Sequence, residues 1–192
     1  MTAFAIIGHI ARTDGSFSIN DLPGGGGRMD VLCRCVNASF FLSHDLRRDV
    51  DCYLLLCGEP SGPKTVRFSG NGVRSLSPDE RSAGSLIKKA LDIPCGSEFR
   101  EAAPGIMVRK GGLERLMTEH TFAVLDEDGK DIRTEAPLPD AFLLSDHQNF
   151  TEPEEGLLRD CARYSVGPRC LHADHTITVL HNELDRRVSS WK

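Results

Sequence analysis

The chain has 192 residues, of which 40% are hydrophobic and 27% are charged, and its formal net charge is −5. This composition is ordinary for a globular protein and excludes a strongly basic one, so a nucleic-acid partner would need a local basic patch. No apolar run approaches the roughly 20 residues that span a bilayer, and the first residues do not have the pattern of a signal peptide. Several of the seven cysteines lie in apolar segments. We therefore expect a cytoplasmic protein with reduced thiols and one domain over 1–192.

Strand-like and helix-like segments alternate along the chain, which predicts an α/β sheet with parallel pairs. The segment beginning at Ser77 opens as a helix should, with Ser77 as the cap and Pro78 at the first helical position. The predicted order is strand 4–10, helix 28–44, strand 51–60, strand 64–70, helix 77–91, strand 105–112, helix 113–120, strand 121–129, strand 141–147, helix 151–164 and helix 170–187.

Four consecutive glycines, Gly24–Gly27, interrupt the chain after the first strand. Glycine has no side chain to pack and a large ordering entropy, which predicts a mobile connection. The run lacks the Gly-Lys-Ser/Thr ending of a phosphate-binding loop, so this interpretation is disfavoured.

Three histidines, His172, His175 and His181, lie close together near the end of the chain. His172 and His175 would share one helical face, but neither an H-E-x-x-H motif nor a pair of CxxC motifs accompanies them, so no metal is expected. We expect them to cap the helix and bond to nearby backbone. A Ser-His-Asp hydrolase is disfavoured because Ser43, His44 and Asp45 are neighbours in sequence and no G-x-S-x-G motif is present.

Basic residues are concentrated in the first 110 positions, several of them beside predicted turns or helix ends. They could form a surface that contacts phosphates, although an ordinary solvated face explains them equally well. The residues are Arg28, Arg34, Arg47, Arg48, Arg81, Lys88, Lys89, Arg109 and Lys110.

Five blocks in a fixed order carry a resemblance that covers most of the chain. They read GRMDVLCRCVNASFFLSHDLRRDV, SPDERSAGSLIKKAL, PGIMVRKGG, LLSDH and LHADHTITVLHNELD. The chain resembles the tRNA pseudouridine N1-methyltransferases of the SPOUT superfamily. The resemblance implies a mostly parallel SPOUT sheet with helices, a C-terminal trefoil knot at about 120–187, S-adenosylmethionine as cofactor, tRNA as substrate and a homodimer.

The same resemblance implies which residues line the cofactor pocket. Ser145 stands where many members have glycine, and Thr176 where many have cysteine, so cofactor affinity or substrate choice is open to change. The implied pocket residues are Leu125, Ser145, Ser165, Val166, Gly167, Pro168, Arg169, Cys170, Leu171 and Thr176.

The resemblance also implies methyl transfer to N1 of a pseudouridine in the tRNA T-loop, at position 54. N1 must lose a proton, and the residues that could accept it by type are Asp30, His44, Asp79, Asp146 and His147. The best-matched arginines would contact RNA away from the cofactor loop: Arg28, Arg34, Arg47, Arg48 and Arg81.

One apolar stripe of the last predicted helix would form the dimer contact: Ile177, Leu180, His181 and Leu184. Two alternatives remain open. The chain could be a SPOUT methyltransferase for another RNA site, or a non-catalytic homologue that binds cofactor and RNA.

Overall fold

A computed structural model describes residues 1–188, so 189–192, the end of the predicted domain, lie outside it. Eight strands form one sheet in the order β4-β5-β3-β2-β1-β7-β6-β8. The strands are β1 (Thr2–Gly8), β2 (Val50–Leu56), β3 (Lys64–Ser69), β4 (Arg100–Ala103), β5 (Ile106–Lys110), β6 (Ala123–Asp131), β7 (Ala141–Ser145) and β8 (Arg163–Ser165). The helices are α1 (Met29–Phe40), α2 (Glu80–Leu91), α3 (Leu113–Met117), α4 (Glu152–Leu157) and α5 (Ala173–Val188), with a 3-10 turn at Ile132–Thr134.

The sheet has two halves that differ in strand direction. From β2 through β1, β7 and β6 to β8 all neighbours are parallel, whereas β2, β3, β5 and β4 pair antiparallel. Strand β2 is the boundary between the two halves, and its parallel neighbour β1 is almost wholly buried, as expected of an apolar strand covered on both faces. This confirms the predicted α/β class.

Alternate residues of β1 face two separate hydrophobic clusters, because successive strand side chains point to opposite faces. Phe4 and Ile6 pack in the larger cluster with residues of α1, α2 and α5. Ala5 and Ile7 pack in the smaller cluster with residues of α3. The sheet is therefore covered on both faces, and functional side chains are displaced towards the strand ends.

The sequence patterns missed two short strands and misplaced some element ends. Strands β4 and β8 have only four and three residues and carry polar side chains, so neither gives a clear apolar signal. The predicted helix 151–164 ends at Leu157, and its last part forms β8. Strand β1 covers 2–8, so its predicted range of 4–10 extends past the strand end.

Helix α2 begins later than predicted, because its cap is Asp79 rather than Ser77. The Asp79 side chain accepts a hydrogen bond of 2.8 Å from the Ser82 amide, which satisfies a donor of the first turn.

The glycine run is a hydrogen-bonded turn, which corrects the prediction of a mobile connection. The Asp21 carboxylate accepts hydrogen bonds from the amides of Gly24 and Gly25 at 3.1 and 2.7 Å. A Cβ at Gly27 would lie 1.9 Å from the Ile10 carbonyl oxygen, and its φ of +67° also favours glycine. The chain's own carboxylate thus occupies the donors that a phosphate would need.

The apolar stripe of α5 faces the chain's own core, which corrects its assignment as a dimer contact. Ile177 and Leu180 are fully buried, and the buried His181 donates from Nε2 to the Ser39 carbonyl at 3.0 Å. The His181 ring also meets Phe4 edge-on, with centroids 4.9 Å apart. Burial lowers the pKa of His181 to about 4, so this ring is neutral at pH 7.

Among residues 1–188, no helix combines the length and apolar character needed to cross a membrane.

Candidate functional site: a cleft at the ends of the parallel strands

A cleft of about 650 Å³ lies at the carboxyl ends of β7 and β8 and beside residues 125–128 within β6, next to the amino-terminal turns of α1 and α5. Ligands of open α/β sheets bind at such strand ends, where neighbouring crossovers diverge. The lining residues are Arg28, Val31, Arg34, Leu125, Asp126, Glu127, Asp128, Leu144, Ser145, Asp146, His147, Gln148, Asn149, Phe150, Glu155, Tyr164, Ser165, Val166, Arg169, Cys170, Leu171, His172, Ala173 and Thr176.

One wall of the cleft is acidic and arises from an irregularity in β6. The register of β6 against β8 shifts between Leu125 and Lys130, so residues 126–129 are not paired with residues of β8. Asp126 receives an ion pair from Arg163, which also bonds Glu155 of α4. Cys170 donates from Sγ to Glu127 at 3.3 Å. This wall presents carboxylates that suit a cationic part of a ligand.

Two arginines also line the cleft, Arg28 at the cap of α1 and Arg34 within that helix, and both are paired with acids. Arg28 donates to both oxygens of Asp30 at 3.0 and 3.1 Å, and Arg34 donates to Asp30 at 3.1 Å and to Glu80 at 3.2 Å. Burial acts to raise the pKa of Asp30, but the two arginines hold it below its usual value.

Arg28 has an unusual backbone conformation, with a φ of 61° in the left-handed region. A residue other than glycine rarely adopts it, and such strain is concentrated at functional sites.

A histidine that the sequence patterns did not select contacts Asp146, which lines the cleft. His9 directly follows β1, and its Nδ1 lies 2.9 Å from Oδ1 of Asp146, which directly follows β7. The His9 amide also donates to Asp146 at 3.0 Å, and Nε2 lies 3.0 Å from Glu154. Since β1 and β7 are parallel neighbours, their ends meet at one edge of the sheet. A prediction that β1 and β7 are parallel neighbours would have placed His9 beside Asp146.

Eight of the ten residues expected to hold the cofactor line this single cleft: Leu125, Ser145, Ser165, Val166, Arg169, Cys170, Leu171 and Thr176. Gly167 and Pro168 belong to the same loop but are not among the lining residues, and a Cβ at Gly167 would meet open space. The loop is held by Ser165, whose hydroxyl donates to the Gly167 carbonyl at 2.7 Å.

Comparison with known proteins gives one consistent result. A family model described as SAM-dependent RNA methyltransferase matches residues 1–188. The chain belongs to this family. It is 62% identical to the tRNA (pseudouridine(54)-N(1))-methyltransferase of Methanocorpusculum labreanum, with 97% of this chain and 98% of the relative covered. It is 55% identical to the protein of the same name from Methanospirillum hungatei, over the whole of both chains.

The fold of the methyltransferase is also similar to a solved structure, that of Archaeoglobus fulgidus Nep1 bound to S-adenosylhomocysteine. The TM-score is 0.66 at 12% sequence identity, covering 96% of this chain and 97% of the other. At this identity the likeness concerns the fold alone.

The five arginines expected to contact RNA have different surroundings in the methyltransferase. Arg28 and Arg34 line the same cleft as the 165–171 loop, whereas the sequence analysis expected them to lie away from that loop. Arg47 is mostly buried and ion-paired with Asp185, and Arg48 donates to two backbone carbonyls. Arg81 is exposed in the first turn of α2.

Among the nine basic residues noted from sequence, Arg109 is buried and not on a solvated face. Its guanidinium stacks 4.1 Å from the Phe99 ring centroid and pairs with Glu119.

The candidate proton acceptors also separate by position. Asp146 and His147 line the cleft, whereas Asp30 holds the two arginines beside it. Neither His44, exposed after α1, nor Asp79, the cap of α2, lines the cleft.

The part of the chain that the structure describes contains no group of three histidine, cysteine or acidic residues placed to hold a metal ion. His172 and His175 stack on each other with ring centroids 5.7 Å apart, and the His172 carbonyl accepts from the Thr176 amide at 2.9 Å.

Proposed function

We propose that this methyltransferase transfers a methyl group from S-adenosylmethionine to N1 of pseudouridine 54 in tRNA. The observation that carries the proposal is the match over nearly the whole chain to relatives of that name, at 62% and 55% identity. The cleft supports it, because it gathers most of the expected cofactor residues in one place.

The chemistry of the cleft fits the cofactor. Leu125, Leu144 and Val166 offer apolar surface for an adenine ring, and backbone groups of the 165–170 loop offer donors and acceptors. The acidic wall suits the ammonium and the sulfonium, and the amino-terminal turns of α1 and α5 suit the carboxylate. When bound, S-adenosylmethionine supplies the methyl group and a neutral thioether leaving group, so positioning provides much of the catalysis.

Within this proposal, His147 is the group that accepts the N1 proton. Its Nδ1 lies 3.3 Å from Oδ2 of Asp146, and its Nε2 lies 3.4 Å from Nε2 of the Gln148 amide. The carboxylate orients the ring, and the substrate replaces the long contact from Gln148. Asp146 itself is less suited, because both of its oxygens already accept hydrogen bonds. Burial acts to raise the pKa of Asp146, but the bonds from His9 and the Gln148 amide hold it below its usual value.

Three further features belong to the proposal. One domain covers 1–192, with a trefoil knot at about 120–187, supported by the central position of β6 between β7 and β8 and by the return of α5 onto α1. The enzyme works as a homodimer through a surface other than the buried stripe of α5. It acts in the cytoplasm, where tRNA is found and where the free cysteines stay reduced.

The test is methyl transfer to two tRNA transcripts that differ only in uridine or pseudouridine at position 54. Mass spectrometry of the digested nucleosides should detect 1-methylpseudouridine from the second transcript and no methylated nucleoside from the first. Equal methylation of both, or methylation at another nucleotide, would contradict the proposal.

A further inference from the structure

His9 lies between two carboxylates, one on each ring nitrogen. Nδ1 is 2.9 Å from Asp146 and Nε2 is 3.0 Å from Glu154, which lies in the first turn of α4. The side chains of His9 and Asp146 are 7% and 1% exposed and that of Glu154 is 15% exposed, so water competes little for these contacts. The imidazole therefore joins the ends of β1 and β7 to α4.

Both contacts are favourable only when the ring carries two protons. A neutral imidazole has one N–H, so its other nitrogen would present a lone pair to a carboxylate oxygen. The hydrogen bond to Asp146 raises the pKa of His9, burial opposes the rise, and the bond to Glu154 adds to it.

Other charged and titratable groups lie around this contact. His147 contacts Asp146, and Arg28 acts on Asp146 electrostatically. Cys57, which follows β2, is influenced by both carboxylates. Burial is the main cause that raises the pKa of the Cys57 thiol to about 11, so this group stays neutral at pH 7.

The two carboxylates that His9 binds also anchor the segment between them. Asp146 accepts from the Gln148 amide at 3.0 Å, and Glu154 accepts from the amide and hydroxyl of Thr151 at 2.7 and 2.9 Å. Residues 145–150 line the cleft. One ring thus fixes both ends of the segment that forms this side of the cleft.

We propose that His9 is a positioning residue whose doubly protonated ring holds the 145–150 wall in the shape that binds the cofactor. The inference rests on the proposed function, because it takes this cleft as the cofactor site. Loss of one ring proton breaks one of the two contacts, and the wall is then held at one end only.

The expected pH dependence follows from the raised pKa of His9. Such a group contributes fully below its ordinary pKa of about 6.5, and the contribution disappears as pH rises through the folded-state pKa. Cofactor affinity should therefore be greatest at mildly acidic pH and fall on the alkaline side.

The experiment measures the Kd of S-adenosylhomocysteine by calorimetry from roughly pH 6 to 9. Wild type should lose about tenfold in affinity, the value of one charge-assisted hydrogen bond. Glu154→Gln keeps a side chain that can cap α4 but removes one charge that retains the ring proton, so the loss should move to lower pH. Glu152→Gln, which removes a charge from the same helical turn, should follow wild type.

His9→Gln should bind about tenfold more weakly at the acidic end and show no such alkaline loss. Coincident pH curves for wild type and Glu154→Gln, or wild-type affinity in His9→Gln, would overturn the inference. Far-ultraviolet circular dichroism shows whether each variant is folded, and an NMR titration of the wild-type His9 ring gives its pKa directly. A ring pKa at or below about 6.5 would also overturn it.

Failure of the proposed function gives a different result. Absence of wild-type binding at every pH would reject the cleft as the cofactor site. Amide hydrogen exchange at 147–150 would then decide the role of His9 alone, with faster exchange in His9→Gln supporting it and unchanged exchange overturning it.

Discussion

Charged side chains differ in their surroundings between the two halves of the sheet. In the antiparallel half, Arg109 is 2% exposed, stacks on Phe99 and pairs with Glu119, and Arg67 pairs with the buried Asp51. In the parallel half, charged residues border an open cleft, as Arg28 does. Neighbouring parallel strands have their carboxyl ends at the same edge of the sheet, so the residues that follow them surround a common space. Neighbouring antiparallel strands have their carboxyl ends at opposite edges. Charges in the first half should therefore matter for stability and those in the second for ligand binding and catalysis.

The largest expected effect is on catalysis in the parallel half. His147→Gln removes the proposed proton acceptor, so kcat for methyl transfer should fall by about 100-fold or more, the usual contribution of a positioned base. The Kd of S-adenosylhomocysteine and the free energy of unfolding should stay near their wild-type values. His44→Gln is the matched control, because His44 is exposed outside the cleft. A kcat equal in both variants would remove His147 from the mechanism.

In the antiparallel half, Arg109→Ala should lower the free energy of unfolding by about 2–3 kcal/mol. The change removes a buried guanidinium from its ring and leaves Glu119 without its closest cation, although Glu119 is 34% exposed, which reduces the cost. Arg115→Ala removes the more exposed ion pair to Glu119 and should lower the free energy of unfolding by less than about 0.5 kcal/mol. Urea unfolding measures both, and a tenfold change in cofactor affinity for Arg109→Ala would break the proposed division of roles.

Two threonines of α5 provide a test of whether the ligand binds in the cleft. Thr176 and Thr178 each donate a hydroxyl hydrogen bond to the carbonyl four residues earlier, but only Thr176 lines the cleft. Thr176→Trp should fill part of it and weaken S-adenosylhomocysteine binding by about tenfold, whereas Thr178→Trp should leave the Kd unchanged. Equal Kd values for the two variants by calorimetry would place the ligand elsewhere.

The smallest effect concerns the salt dependence of tRNA binding. Arg28→Ala and Arg34→Ala should each reduce the slope of log K against log salt by just under about one unit, if each side chain contacts one phosphate. Arg47→Ala combined with Arg48→Ala should reduce it by less than two such contacts would, because Arg47 is only 16% exposed and pairs with Asp185, whereas Arg28 and Arg34 border the open cleft. Binding isotherms at several salt concentrations test this, and a larger change in the Arg47 and Arg48 variant would reverse the assignment.

The parallel half was the more predictable part from sequence. Strands β1, β2 and β7 are buried on both faces and consist of apolar runs, and eight of the ten cofactor residues that the family resemblance implied line the cleft. Strand β8 escaped detection because it has three residues, Arg163–Ser165, without an apolar pattern. The contact between His9 and Asp146 joins residues 137 positions apart and depends on which strands become neighbours. Local patterns do not specify that adjacency.

The ion pairs of the arginines could not be predicted from local sequence patterns either. Sequence shows that Arg47 follows a predicted helix and that Arg109 lies in a predicted strand. It does not show that Arg47 pairs with Asp185 or that Arg109 stacks on Phe99 and pairs with Glu119. Burial of a charged side chain is set by tertiary contacts, so charge counts left a phosphate-contacting patch and a solvated face equally open and did not show the ion pairs of Arg28, Arg34, Arg47 and Arg109.

The most direct test of the division between the halves is an NMR titration of methyl groups with S-adenosylhomocysteine. The methyl resonances of Leu125, Leu144, Val166 and Ala173, which line the cleft, should shift on binding. Those of Val66, Ile106 and Val108, buried in the antiparallel half, should stay unchanged. Shifts confined to the second group, or no shifts in the first at saturating ligand, would contradict the assignment of the cofactor to this cleft.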